Sequence, residues 1–307
     1  MPPSILGIHH VTAITADAQK NIDFYTGVLG LRLVKLTVNF DDPSSYHLYY
    51  GDASGSPGSI LTFFAWPGAR EGRQGPPQVT VTAFAAKRGT LERWQERLRG
   101  NGVAINEPMK RFGADVLPFA DPDGMRLEIV FDSDAGQDDR LERFHSATIA
   151  EIGYEHTAKL LTETMGFHRV GDEGNRFRFA VGDGGARQVV DILCLPGGRS
   201  GSMGAGAVHH IAWRTPDDAQ QAAWREKLAA LNFNVSPVMD RNYFHSIYFR
   251  EPGGVLFEIA TDPPGFTADE PAETLGSRLM LPPWLELHRA EIQKLLPPVR
   301  LPEWKSR

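Results

Sequence analysis

The sequence predicts an α+β fold of four β-α-β-β-β modules that form two half-open β-barrels with their helices outside. Three observations carry that expectation. First, four strand-like segments recur: Ile8-His9-His10-Val11-Thr12, Val79-Thr80-Val81-Thr82-Ala83, Phe144-His145-Ser146-Ala147 and Val208-His209-His210-Ile211-Ala212. With His10, Val81, His145 and His210 as reference points, the intervals are 71, 64 and 65 residues. Second, a helical stretch follows each strand and stops alike, at Gly30-Leu31, Gly102-Val103, Gly166-Phe167 and Asn232-Phe233. Gly and Asn tolerate the left-handed conformation that ends a helix, and the apolar residue after them restarts a strand. Third, Phe119-Ala120-Asp121-Pro122-Asp123-Gly124 with Leu127-Glu128-Ile129 nearly repeats as Phe249-Arg250-Glu251-Pro252-Gly253-Gly254 with Phe257-Glu258-Ile259, each a hairpin with a Pro/Gly turn.

Taken in order, the first helix places Ala18, Ile22, Tyr25 and Leu29 on one face at 4-3-4 spacing. The second has Thr90 at the N-cap with Leu91, Trp94 and Leu98 inward, and the fourth opens at Thr215-Pro216, a cap residue followed by proline. Linkers rich in Gly, Pro and charge fall at about 67–77, 133–143 and 196–206. The expected division is an N-terminal pair of modules over 1–137 (about 5–66 and 77–132) and a C-terminal pair over 138–262 (about 143–196 and 206–262). A tail over 263–307 carries a short helix near 284–296. One module exposes the concave face of its sheet; two side by side bury it.

The 307 residues are 41% apolar and 23% charged with a net charge of −6, enough chain for two cores. The 32 Lys and Arg are scattered without a basic stripe, which excludes nucleic acid as a partner. The lone Cys194, in the run Val190-Asp191-Ile192-Leu193-Cys194-Leu195, reads as a buried structural thiol. No apolar run approaches the roughly 18 residues of a membrane helix, so no membrane association and a cytoplasmic location are expected. A homo-oligomer remains open.

Aligning the copies compares polar residues at equivalent places. Position one, in the first strand, is His10, Val81, His145 and His210; position two, in the last strand, is Thr62, Glu128, Asp191 and Glu258. Alternation along strands turns residues of one phase the same way, into the barrel. Buried imidazoles and carboxylates are costly unless paired or bound to metal. Two histidines and one carboxylate on one face of an ion form the ligand set of non-haem Fe(II) oxygenases. If modules one and four share a barrel the set is His10, His210 and Glu258, with Thr62 as non-ligand; if three and four share one, it is His145, His210 and Glu258, with Asp191 spare. Spacing does not choose between them. Glu128 and Asp191 read as remnants of the repeat, now paired or partly exposed.

These residues make the chain resemble the vicinal oxygen chelate superfamily of glyoxalases, bleomycin-resistance proteins and extradiol dioxygenases. It is most similar to the ring-cleaving dioxygenases of hydroquinones and chlorohydroquinones. The resemblance spans nearly the whole chain. It runs through Gly7-Ile8-His9-His10-Val11-Thr12, Tyr46-His47-Leu48-Tyr49-Tyr50, Arg111-Phe112-Gly113, Phe144-His145-Ser146, Glu173-Gly174-Asn175-Arg176, His209-His210, Pro252-Gly253-Gly254-Val255 and Gly265-Phe266-Thr267. It implies that His10, His210 and Glu258 hold the iron and that modules one and four share the active barrel. In catechol dioxygenases, by contrast, the position of His145 binds iron. It also implies that His9, Thr12, His209, Arg241 and Tyr248 surround the substrate. His245 stands where the chlorohydroquinone enzymes carry an acid, at the lip of the pocket.

The activity implied is Fe(II)-dependent cleavage of a hydroquinone- or catechol-type ring by O₂, with Mn(II) an acceptable substitute. His209 is expected to do acid–base work, Tyr248 to donate a hydrogen bond to substrate or dioxygen, and Arg241 to hold the anionic ring oxygen. His9, Thr12 and His245 are expected to bind substrate. A glyoxalase-like isomerase or lyase would want a fourth protein ligand where Thr62 stands, and a non-catalytic aromatic-drug binder would lack the triad.

Overall fold

The computed structural model describes residues 3–133, 140–141, 143–185 and 188–303. The expected boundary at 137/138 lies outside them. Module one is β1 (Ile8–Thr15), α1 (Ala18–Ile22), β2 (Arg32–Asn39), β3 (Asp42–Gly51) and β4 (Ile60–Ala65). Module two is β5 (Gln78–Lys87), α2 (Leu91–Gly100), β6 (Met109–Arg111), β7 (Ala114–Ala120) and β8 (Arg126–Ser133). Module three is β9 (Phe144–Glu151), α3 (Glu155–Lys159), β10 (His168–Glu173), β11 (Arg176–Ala180) and β12 (Val189–Cys194). Module four is β13 (Val208–Thr215), α4 (Asp218–Ala230), β14 (Met239–Asp240), β15 (Phe244–Arg250) and β16 (Leu256–Pro264). In the tail, α5 spans Arg289–Leu295, within the helix expected near 284–296.

The four-module α+β architecture is as the repeat requires. All four helix-ending residues have positive φ: Gly30 75°, Gly102 74°, Gly166 82° and Asn232 64°. Ala18, Ile22, Tyr25 and Leu29 are all buried. Tyr25 falls, however, in a wider π turn over Asp23–Val28 that continues α1, and Leu160–Thr164 continues α3 in the same way. The caps differ from expectation. Asp217, not Thr215, caps α4 by accepting from the Gln220 amide, while Thr215 is the last residue of β13. Thr90 holds the cap position of α2 but spends its hydroxyl on the Lys87 carbonyl at 2.7 Å.

Two eight-stranded sheets result, in the orders β14-β15-β16-β13-β1-β4-β3-β2 and β10-β11-β12-β9-β5-β8-β7-β6. Modules one and four share the first, and modules two and three share the second. The sheets therefore cut across the sequential pairs 1–137 and 138–262, because β1 runs antiparallel to β13, and β5 to β9. A continuous apolar core joins both sheets through residues such as Ile8, Phe84, Ile149 and Trp213. The tail straps the first sheet: buried Lys35 on β2 binds Asp269 and Glu270, each at 2.5 Å, and the Phe266 carbonyl at 3.2 Å.

Each central strand pair carries two bulges. Between Ile8↔Trp213 and His10↔Ala212, β1 has one extra residue, His9; between Thr12↔His210 and Ala13↔Val208, β13 has one extra, His209. In the other sheet the extra residues are Thr80 and His145. A bulge re-aims side chains, letting consecutive residues turn toward one side. It also resets the alignment. His145 corresponds to His209, and the residue equivalent to His210 is Ser146, so the assignment of His145 to position one is off by one residue.

Candidate metal centre

The shared sheet brings His10 and Glu258, with His210, to one point. β13 lies between β1 and β16, with Thr12 opposite His210 and Ala212 beside Glu258. The three side chains are buried, and their donor atoms all lie within 4.8 Å of one another. Nε2 of His10 is 3.3 Å and Nε2 of His210 is 2.9 Å from Oε2 of Glu258. The other carboxylate oxygen accepts from Ser246 Oγ. Oε2 itself finds no hydrogen-bond geometry among the described residues despite full burial. A buried orphan oxygen facing two imidazole nitrogens is expensive unless a cation sits between them. Burial alone would raise the Glu258 carboxyl, but His10 and His210 hold it well below the usual carboxylate range. No other group of three or more potential ligands occurs among the described residues.

The first histidine of each pair orients the second. His9 Nδ1 lies 2.9 Å from His10 Nδ1, and His209 Nδ1 lies 2.7 Å from His210 Nδ1. If Nε2 of His10 and His210 is to bind an ion, their hydrogens must sit on Nδ1 and be donated to His9 and His209. The bulges make this geometry, and His145 keeps it in the other sheet, with its Nδ1 2.8 Å from Ser146 Oγ. There the imidazole reaches Asp132 at 3.1 Å instead of an ion. Glu128 pairs with Arg111, and Asp191 with Arg176 and Arg178, as expected of remnants.

Beside the triad opens a cavity of about 350 Å³ lined by Thr12, His209, Arg241 and Tyr248, and by Phe64 and Trp66. Arg241 Nε donates to Tyr248 OH at 3.2 Å, and its NH1 lies 3.1 Å from Asp41. Burial would lower the guanidinium, yet Tyr248, Asp41 and Glu258 hold it above its usual range, a permanent cation. Burial, and then Glu258, raises the Tyr248 hydroxyl, so it stays a donor. Burial pushes His209 down to about 3. His9 is buried behind His10 and packs edge-on against Phe244, ring centroids 5.1 Å apart, rather than lining the cavity.

His245 does not line the cavity either. Phe244 and Tyr248 on the same strand face it, whereas His245 turns to Asp218 on α4 at 2.6 Å. Cys194, at the end of β12, is half-buried rather than fully buried. Sequence reasoning did not single out His47 and Tyr49, which also line the cavity. Their signal was the alternation of Tyr46-His47-Leu48-Tyr49-Tyr50, with Leu48 and Tyr50 in the core and His47 and Tyr49 on the opposite face.

Family comparison agrees with the repeat. The family described as "Glyoxalase/Bleomycin resistance protein/Dioxygenase superfamily" matches residues 7–129 and 143–259. The chain belongs to this superfamily. It is 48% identical over 315 residues, 99% of both chains, to "Putative ring-cleaving dioxygenase MhqO" of Bacillus subtilis. It is 36% identical over 313 residues to "Chlorohydroquinone/hydroquinone 1,2-dioxygenase" of Sphingobium indicum, covering 96% of this chain and 97% of that one. A crystal structure named "putative dioxygenase from Bacillus subtilis" superposes with a TM-score of 0.93 at 47% identity, over 98% of this chain and 100% of the other. No helix among the described residues is long and apolar enough to cross a membrane.

Proposed function

We propose that the chain is an Fe(II)-dependent ring-cleaving dioxygenase that inserts both atoms of O₂ into a hydroquinone- or catechol-type ring beside a hydroxylated carbon. The observation that carries this reading is the buried Glu258 Oε2, without a hydrogen-bond partner among the described residues, facing His10 and His210, which line an aromatic-walled cavity. The two relatives matched over nearly the full length, one named a ring-cleaving dioxygenase by presumption and the other a chlorohydroquinone/hydroquinone 1,2-dioxygenase, support it.

Ground-state dioxygen reacts slowly with singlet aromatics, and a bound Fe(II) (or Mn(II)) would supply the spin-permitted route. Two neutral imidazoles and one carboxylate leave a divalent site at +1, a charge that one phenolate neutralises. Arg241 stabilises that phenolate with a charge no pH change removes, so the phenolic proton leaves to water. Tyr248, whose oxygen already accepts from Arg241, offers its own hydrogen to substrate or dioxygen. His209 accepts from His210 at Nδ1 and so carries its hydrogen on Nε2. Burial keeps this imidazole neutral, so it offers that hydrogen as a hydrogen bond to an oxygen of the substrate. His9 serves by aiming His10, and Phe64 and Trp66, stacked with an interplanar angle of 6°, form a flat wall for the ring.

Anaerobic loading with Fe(II) should give one iron per chain, and hydroquinone or catechol should then drive O₂ uptake of one molecule per ring opened. Full activity with zinc or nickel and no oxygen uptake would instead assign an isomerase or lyase. Tight binding of aromatics by metal-free protein with no turnover would assign a sequestering protein.

A further inference from the structure

Three neighbouring strands carry a run of polar side chains across the cavity wall. Tyr49 on β3 stands opposite Thr62 on β4, and Thr62 stands beside Thr12 on β1. Tyr49 OH is 2.9 Å from His47 Nδ1, His47 Nε2 is 2.7 Å from Thr62 Oγ1, and Thr62 Oγ1 donates to Thr12 Oγ1 at 3.1 Å.

Counting hydrogens fixes the direction of this chain. A hydroxyl has one hydrogen to give. Thr62 gives its hydrogen to Thr12 and must therefore accept from His47, which places the imidazole hydrogen on Nε2. Nδ1 is then bare and accepts from Tyr49. Burial holds His47 well below the usual histidine range, and burial likewise keeps Tyr49 a phenol, so neither protonation state disturbs the order. Thr12 ends the chain. It is fully buried, lines the cavity, and its own hydrogen finds no acceptor among the described residues.

We infer that His47 is a positioning residue: through Thr62 it makes Thr12 a one-way hydrogen-bond donor for a ring oxygen of the substrate that is not on the ion. This rests on the reading of the cavity as a site for hydroxylated aromatics. Thr12 lies two residues beyond His10 on the same face of β1, so its donor is displaced along the strand from the ion-binding imidazole. The arrangement also accounts for threonine where the other three modules carry Glu128, Asp191 and Glu258. An ionised carboxylate only accepts, whereas Thr62 accepts from one neighbour and donates to the next. Aligned donors polarise one another, which strengthens the last bond of the row.

Two measurements test this. In the metal-free protein, ¹⁵N NMR should find His47 in the Nε2–H form; an Nδ1–H form overturns the direction of the chain. In metal-loaded protein without oxygen, calorimetry should compare hydroquinone with phenol, which lacks the second ring oxygen. Thr62→Val and His47→Phe should weaken hydroquinone by about 3- to 10-fold, the worth of one hydrogen bond, and raise its KM alike. Phenol should be unaffected. His47→Gln should recover most of the loss, since its amide can accept from Tyr49 and donate to Thr62. Unchanged hydroquinone affinity in the variants, or an equal loss for phenol, overturns the positioning role while leaving the dioxygenase reading intact. Failure of the wild-type protein to bind either hydroquinone or catechol overturns both.

Discussion

Glu258 Oε2, His10 Nε2 and His210 Nε2 come from strands at opposite ends of the chain and face one another, and Oε2 has no hydrogen-bond partner among the described residues. Removing His10 should therefore abolish metal retention, whereas removing His145 should not. His145 sits in the other sheet, as a bulge residue whose partners are Ser146 and Asp132. Iron per chain after anaerobic loading and desalting is the measurement: His10→Ala should fall to near zero, with activity lost at least 10²-fold, and His145→Ala should stay near one. Iron retained by His10→Ala and lost by His145→Ala would move the centre to the second sheet. At this scale the candidate ligands were legible because carboxylate and imidazole recur at intervals in the repeat, but spacing left His10 and His145 as alternatives, and the family resemblance pointed to His10. The place of His145 was not, because a bulge inserts one residue without any composition cue, and the lone histidine of Phe144-His145-Ser146 does not show which position of a histidine pair it occupies. His245 misled for a similar reason. Its phase along β15 turns it to Asp218, which only the pairing with β16 decides.

Elements were read more securely than registers. The helix ends at Gly30, Gly102, Gly166 and Asn232 follow from a backbone requirement that local sequence states openly, whereas the cap at Asp217 and the π turns after α1 and α3 depend on packing. One junction between elements makes a further prediction. Glu151, the last residue of β9, is buried against Glu251 in the turn after β15, and neither of its oxygens has a hydrogen-bond partner among the described residues. Glu251 is satisfied by Thr157 and by the amides of Gly253 and Val255. At the matching junction of the other half, the last residue of β1 is Thr15, a neutral donor to Asp123 at 2.5 Å. Burial, and then Glu251, pushes Glu151 up to about 8 from the ordinary 4.5. Because the folded state holds this proton more tightly, its contribution to stability is complete below pH 4.5 and is lost progressively as pH rises to about 8. Glu151→Gln removes the ionisation, so its melting temperature should exceed that of wild type by about 5 °C at pH 9, with a smaller gap at pH 5. Melting curves that differ by a constant amount across that range would contradict the assignment.

For the whole molecule, the pairing of modules decides what unfolds together. Modules two and three form a contiguous middle segment, while modules one and four come from the two ends and are joined into one sheet by β1 and β13. That closure holds both histidines of the candidate metal centre, so a bound ion would tie residue 10 to residues 210 and 258 across most of the chain. Two independent sequential halves would melt in two steps, only one of them sensitive to metal. Here one apolar core runs through both sheets, and Trp213 of the first lies in the same cluster as Phe84 and Ile149 of the second. Loss of either sheet strips the other of its packing. Scanning calorimetry should therefore record a single transition. An ion bound only by the folded chain should raise its midpoint by about 5–10 °C at free metal far above the dissociation constant, and a chelator should reverse the gain. His10→Ala should melt at one temperature with or without metal, while His145→Ala keeps the full increment. Two resolved transitions, with the metal moving only the second, would mean that the sheets fold as separate units and that the centre stabilises one of them alone.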